Sequence, residues 1–400
     1  MILVGALGDF IANEKPIYCR IDGDSYFPIF KNYGVNLGLT QWQPIFITND
    51  WSTYNYDTVI FPLIPYSANT TDLNNANYKG PFDEQNIKST RYKHWLGTDG
   101  LGRDVAAGII GGLRIVLMVG FISMFVATIL GLLFGSISGY FGDDKLYITR
   151  ARLLVNLIAL PLATFYGFII NINVIISSLW GEDSKLEGGV LLLTQILIFI
   201  LIFIFFNFID KLLLKIPIFK QSFALPVDIV IMRIIEVIHS VPILLLILAV
   251  LSIIEKPSII YVIFIIGFIR WTNIARFVRA ELLRVREMEY INAVKVMGLS
   301  QWKIITKHAL PNSLAPALIS IAFGVASAVL LESFLSFLGI GVAVEEVTWG
   351  IILKQARNNF SAWWLAVFPG AAIFITVTIF NLIGEGLNDA LDPRHRHDTM

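Results

Sequence analysis

Cysteine is all but missing. Cys19 stands alone among 400 residues, which excludes a disulfide framework and zinc sites built on several cysteines. Charge is also scarce. Charged side chains make up 15% of the chain, against about 25% in an ordinary soluble domain. A soluble chain of this length could bury large cores, but it would need a charged coat that these residues cannot supply. The 30 basic and 30 acidic side chains cancel, so no net positive charge is present to capture the phosphates of a nucleic acid. No G-x-x-x-x-G-K-[ST] phosphate loop occurs, so the chain shows no nucleotide cradle of that type. No Ser/His pair, paired Asp or zinc-type spacing lies inside an apolar run. No catalytic, metal or cofactor-binding residue is therefore assigned.

Apolar residues are abundant instead, at 56% of the chain with a mean hydropathy of +0.70. A membrane-spanning helix needs about 20 largely apolar residues, because hydrocarbon cannot satisfy an open backbone group. Ile115–Phe141, Leu153–Ile172, Val190–Ile209, Ile229–Ile254, Ile259–Phe277, Leu314–Leu338 and Trp363–Ile383 meet that requirement. The first residues, 1–11, are apolar but too short to span, and are expected to be part of a first membrane helix. Residues 12–112 are polar and rich in Asn, Asp, Tyr, Pro and Gly, with little helical periodicity. A short strand is expected near Thr58–Phe61 and a mobile stretch at Ser67–Asn77.

Lys and Arg favour the cytoplasmic side of short loops. Lys145, Arg150 and Arg152, then Lys211, Lys215 and Lys220, then the segment Arg270–Lys307 and the tail Arg394–Arg396 form one basic set. The acidic turn Asn173–Gly189, with Glu182 and Asp183, and the turn at Lys256–Pro257 alternate with that set. This alternation puts the C-terminus, including residues 395–400, in the cytoplasm and residues 12–112 outside.

The longest basic stretch holds the most informative pattern. Met288, Ile291, Val294 and Met297 recur at helical spacing, with Ala293 beside them. Gly298 breaks that helix, Ser300 can cap a second one over Gln301–His308, and Pro311 ends it. A bent amphipathic segment of this kind suits a groove on another protein, or alternatively a position in the lipid headgroup layer.

These residues resemble the cytoplasmic coupling loop of ABC importer permeases. The matching positions are Ala293, Gly298, Ile305, Leu310 and Pro311, within a loop over 280–311. Asn292 stands where the family has Glu, and Val294 where it has a second Ala. The resemblance implies that Glu289, Tyr290, Asn292, Ala293, Met297, Gly298, Leu299, Ser300, Leu310 and Pro311 meet a partner ATPase. Three further segments resemble dipeptide and oligopeptide permeases of the C type: His94–Val105 (HWLGTDGLGRDV), Glu332–Gly350 (ESFLSFLGIGVAVEEVTWG) and Gly384–Arg394 (GEGLNDALDPR). Gly97, Thr98, Asp99, Gly102, Arg103 and Asp104 form the signature of the first. Its charged residues can pair locally, and an ordered loop that caps and positions a helix is preferred there over a substrate contact. The resemblance covers Lys93–Tyr140 and Val227–Arg394.

Residues 142–225 do not fit that family's short link. Their two apolar segments read as an inserted helical hairpin that crosses twice, or as two helices along the inner surface. Pro161 is expected to kink the first. Arg233, Glu236 and His239 fall at i, i+3 and i+6, and read either as a self-satisfied pair or as pathway lining. Glu332, beneath an apolar helix, is expected to face a cavity or a partner, and reads as lining of the pathway or a contact with the facing subunit.

The expected fold is an all-α polytopic helical bundle of the type I importer permease class. It carries a helix over 113–141, a core over 226–394, the long extracytoplasmic region and the extra hairpin. The implied partners are a second homologous permease, two ATPases carrying ATP and Mg, an extracytoplasmic binding protein and membrane lipid. The expected location is the bacterial cytoplasmic membrane, and peptides are the expected cargo. A secondary transporter or channel working without an ATPase is the alternative, and would want matched internal repeats.

Overall fold

The Asp104 side chain ends the polar N-terminal stretch. Its Oδ1 accepts from the Ala107 amide at 2.7 Å, satisfying one of the donors left open at a helix start. The first long helix therefore begins at Val105, eight positions before the expected 113. The computed structural model describes residues 1–43, 46, 50–51, 53–172, 174–175, 185–252, 254, 258–341 and 346–391. Most of the acidic turn Asn173–Gly189, the turn at Lys256–Pro257, residues 342–345 and the tail from residue 392 lie outside the described residues.

The elements run in chain order as follows. Short helices α1 (Ile2–Ala6) and α2 (Gly8–Ile11) precede strands β1 (Tyr18–Ile21) and β2 (Asp24–Tyr26), helix α3 (Pro28–Asn36) and strand β3 (Thr58–Ile60). Helix α4 (Val105–Ser136) follows and is extended by a wider π turn, Ile137–Phe141. Next come β4 (Tyr147–Thr149), α5 (Arg150–Thr164), α6 (Lys185–Leu213), α7 (Pro217–Lys220) and β5 (Ser222–Ala224). The remaining helices are α8 (Val227–Ser240), α9 (Ile243–Leu251), α10 (Ile259–Val285), α11 (Glu289–Val296), α12 (Gln301–Ile304), α13 (Ala315–Leu338), α14 (Trp349–Asn358) and α15 (Trp364–Leu391).

Among the described residues six helical stretches are long and apolar enough to cross a membrane: Val105–Phe141, Arg150–Ile169, Gly188–Leu213, Ile259–Val285, Ala315–Leu338 and Trp364–Leu391. The segment read as one span over Ile229–Ile254 is instead two helices, α8 and α9, bent by 86°. Pro242 stands at the break as the cap of α9. Without an amide hydrogen it cannot continue the backbone ladder of α8.

The chain divides into two compact units, Met1–Tyr140 with Arg233–Met400, and Phe141–Met232. In the first, α4 packs along α10, and α13 packs on α4 and α15. Glycines bring α4 and α10 to backbone contact. A Cβ at Gly135 would lie 2.7 Å from the Ala275 carbonyl oxygen, and one at Gly139 would lie 2.8 Å from that of Arg279. Gly131, Gly135 and Gly139 recur every four residues, so they share one helix face. Small residues at such spacing let helices approach where no hydrophobic force drives them together.

The N-terminal part of this unit holds a small antiparallel sheet of order β2-β1-β3, with Cys19 opposite Tyr26 and Val59. One face covers an aromatic cluster in which Cys19, Phe46 and Trp51 are buried, and the rings of Phe46 and Trp51 stack at 5.1 Å. The strand at Thr58–Ile60 lies where the sequence pattern puts one, but α3 was not legible in it. The expectation of a mobile Ser67–Asn77 is corrected. Asn75 is fully buried; its Nδ2 donates to Asp72 Oδ2 at 2.7 Å and to the Asn86 carbonyl at 2.9 Å.

In the second unit β4 pairs antiparallel with β5, and α5 packs against α6. A Cβ at Gly167 would lie 3.0 Å from that of Phe199. Pro161 stands inside α5 without ending it, and the wider π turn Phe165–Ile169 follows. Arg152 Nε lies 3.4 Å from the buried Asp210 carboxylate.

Candidate coupling and signature sites

The signature residues converge on one carboxylate. Asp99 Oδ1 accepts from the amides of Leu101 and Arg103, each at 2.9 Å. Its Oδ2 accepts from Arg103 Nε at 2.7 Å and from Gln355 Nε2 on α14 at 2.9 Å. Gly102 adopts φ +82°, and a Cβ there would lie 2.1 Å from the Asp72 carbonyl oxygen, so only glycine fits. Gly97 is also left-handed, with φ +81°. Thr98 Oγ1 donates to the Asn75 carbonyl at 2.7 Å, while the Thr98 carbonyl accepts from Trp364 Nε1 on α15 at 3.0 Å.

Asp104 does not pair with Arg103. It caps α4, and its Oδ2 lies 2.8 Å from Nδ1 of the fully buried His94. His94 Nε2 lies 3.4 Å from Asp72 Oδ2. The sequence reading missed this bridge, although a histidine ten residues before a capping aspartate was there to be read. The cluster's chemistry is clamping: buried acceptors are satisfied by donors from three helices and two turns, as burial requires. It ties the start of α4 to α14 and α15.

The coupling segment forms one exposed bend. Met288 precedes α11, and Gly298, at φ +77°, turns the chain between α11 and α12 with nothing within 4 Å of where a Cβ would stand. On the inner side Ile291, Ile304, Ile305 and Ala309 are buried. Tyr140 Oη donates to Gln301 Oε1 at 2.6 Å, and Arg286 Nη1 donates to the Gly139 carbonyl at 3.2 Å, so the bend is fastened to the end of α4. On the outer side Val296 is 89% exposed, Met297 75% and Trp302 57%. Glu289, Tyr290, Asn292, Ala293 and Ser300 are exposed as well, Leu299 and Leu310 are half-buried, and Pro311 is exposed.

Two details differ from expectation. Ser300 occupies the cap position of α12, but its side chain makes no capping bond. The second helix is one turn, Gln301–Ile304, continued by a wider π turn, Ile305–Ala309, rather than a regular helix to His308.

Arg233 Nη1 donates to Glu236 Oε2 at 2.7 Å, and both side chains are exposed. His239 Nε2 lies 3.1 Å from Thr272 Oγ1. Glu332 does not reach the open surface. It is fully buried and accepts from Ser336 Oγ at 2.7 Å and Ser333 Oγ at 3.3 Å. Serines one turn on and next door, with Thr348 at the cap of α14, supply hydrogen bonds to this carboxylate inside the one chain. Arg270, which the charge pattern groups with the cytoplasmic basic set, lies inside α10. An apolar run ending in one arginine looks, in sequence, like a helix end.

The family described as "Binding-protein-dependent transport system inner membrane component" matches residues 221–397, which take in the coupling bend and Glu332. The likeness to this family lies in that C-terminal part of the chain. The chain is a helical, multi-pass inner membrane protein. Proteins similar to this chain include a putative peptide transport system permease protein of Brucella suis, 42% identical over 42% of this chain and 56% of that protein. The inner membrane ABC transporter permease protein YejE of Escherichia coli is 26% identical over 96% of this chain and 88% of its own length. The dipeptide transport system permease protein DppC of Bacillus subtilis is 27% identical over 78% and 72%. The chain thus spans little more than half the length of the Brucella relative.

Proposed function

We propose that the chain is one permease subunit of a bacterial ATP-binding-cassette importer that carries di- or oligopeptides across the cytoplasmic membrane. The observation that carries this reading is the bend at Gly298. Apolar Val296, Met297 and Trp302 stand in the open beside it, while Ile291 and Ile304 hold its inner side in the fold. Exposed apolar side chains on a rigidly anchored helix suit a groove on a partner. That partner is an ATPase subunit, one of two, which hold the ATP and Mg; this chain makes no covalent change in the cargo.

A second homologous permease completes the pathway, and an extracytoplasmic binding protein delivers the peptide. Residues 12–112 face outside, residues 142–225 supply an additional membrane hairpin, and the bend and C-terminus face the cytoplasm. Closure of the ATPases displaces the bend, and α10 and α13, which flank it in the chain, tilt between outward-open and inward-open states. The exposed Arg233–Glu236 pair is a candidate lining of that pathway. The signature from Gly97 to Asp104 serves as a clamp on the start of α4.

Site-directed crosslinking tests the reading. Cys19 is fully buried, so a Met297→Cys variant presents one accessible thiol. A short bifunctional reagent is expected to join it to an ATPase subunit in membranes. Crosslinks that reach only lipid, or no ATPase at all, would overturn the coupling role.

A further inference from the structure

Arg270, inside α10, borders two cavities. It lies eleven residues into α10, about 16 Å along the helix axis; with Ile259 at one face of a hydrocarbon layer about 30 Å thick, that is near the middle of the layer. A guanidinium at that depth is costly, and it is retained where a polar partner or a pathway needs it. Within the fold its Nη2 donates to Ser327 Oγ on α13, and its buried Nε has no hydrogen-bond partner.

One of the two cavities is a groove of about 650 Å³. Ile243, Leu330, Phe334, Leu353 and Ile373 give it apolar walls, and Ser327 and Arg270 supply polar groups. On the other side Arg270 borders a pocket of about 190 Å³ at the α8–α9 break, together with His239, Thr272 and Asn273. No Asp or Glu lines either space among the described residues. The groove falls within the size range of small-ligand sites, roughly 300–1,000 Å³, and has their usual make-up: apolar walls with a few convergent polar groups.

We infer that Arg270 receives the terminal carboxylate of a peptide in transit, with the apolar walls accommodating its side chains. A guanidinium matches a carboxylate in planar, two-point geometry, and the Nε–H of Arg270 is left without a partner among the described residues. The inference rests on the peptide reading above. An anionic lipid headgroup offers similar chemistry, and a carboxylate from the second permease is a further competitor. The peptide is favoured because the groove is bounded by five helices of this one chain and has the volume of a small-ligand site.

The test uses the whole importer, without its binding protein, in vesicles of zwitterionic lipid. Equilibrium binding of tri-alanine and of tri-alanine amide is measured for the wild type, Arg270→Gln and Arg270→Lys, after assembly is verified by size exclusion. The wild type is expected to prefer the free acid by on the order of tenfold, the scale of one charge-assisted hydrogen bond. Arg270→Gln is expected to bind the amide as before and to lose the preference, and Arg270→Lys to keep part of it.

A preference that persists in Arg270→Gln overturns the inference, as does equal binding of acid and amide by the wild type. Loss of assembly in Arg270→Gln points to a subunit contact and overturns it. A tightly held anionic lipid that copurifies with the wild type and not with the variant, without any peptide preference, does the same. With the binding protein restored, uptake of tri-alanine separates the two levels. Uptake without a detectable site in the permease refutes the role of Arg270, whereas no uptake of any peptide refutes the peptide reading itself.

Discussion

Gln355 Nε2 donates to Asp99 Oδ2 at 2.9 Å across 256 positions of the chain. Through that bond and the neighbouring Gly100 amide, which donates to Gln355 Oε1 at 3.1 Å, the loop before the first long helix is locked to α14. The glycines of the signature give the loop its turns, and Asp99 gives it a single acceptor on which four donors converge.

Removing that acceptor leaves the Arg103 guanidinium and Gln355 without their partner. Asp99→Ala is expected to lower stability by about 3 kcal/mol, the scale for breaking a buried charged pair. Gln355→Ala should cost about 1 kcal/mol. Because the two share one contact, the double variant should lose less than the sum. Thermal unfolding of the detergent-solubilised protein checks the order; equal losses from both single variants would contradict the convergence on Asp99.

Gly135 is the tightest test of the packing between α4 and α10. A leucine there must displace the Ala275 carbonyl, 2.7 Å from its Cβ, and Val278, 2.9 Å away. Overpacking of this kind costs about 1–3 kcal/mol or more. Gly135→Leu is expected to accumulate poorly and unfold earlier, whereas Gly370→Ala, with nothing within 4 Å of its Cβ position, should behave as wild type. Yield and melting temperature distinguish them.

Burial raises the Cys19 thiol to about 11. The reactive species is the thiolate, so between pH 7 and 9 its fraction is depressed about 100-fold relative to a thiol near 9. Folded protein should label slowly with maleimide, and the rate should keep rising with pH beyond 9. Denaturation should release fast labelling. Rapid labelling at pH 7 in the folded state would contradict the burial.

The long spans were legible because twenty apolar residues in a row have few other solutions. Their refinements were not. The break at Val241–Pro242 lay in a run that hydropathy treats as continuous, and only the missing proline amide hints at it. The turn at Gly298 was readable from an amphipathic stripe that stops at a glycine, and its φ of +77° bears this out. Which side of the stripe faces out was not readable, since Met297 shares its spacing with the buried Ile291. Asp99 and Arg103 could be paired by proximity in sequence, but Gln355 and Trp364 come from helices some 250 residues away. Glu332 shows the limit most clearly. A carboxylate in an apolar helix implies a partner, and the partners are Ser333 and Ser336 of its own helix together with Thr348 at the cap of α14.

The backbone at Gly298 offers the sharpest discrimination. Its Cβ position is open, so a side chain there acts through the left-handed backbone alone. A β-branched residue at positive φ is strongly disfavoured, while asparagine tolerates it. Uptake per ATP hydrolysed should be measured for Gly298→Val and Gly298→Asn in the assembled importer. A lever at this bend requires that Gly298→Val uncouple hydrolysis from uptake and that Gly298→Asn remain near wild type. Normal coupling in a fully assembled Gly298→Val importer would refute it.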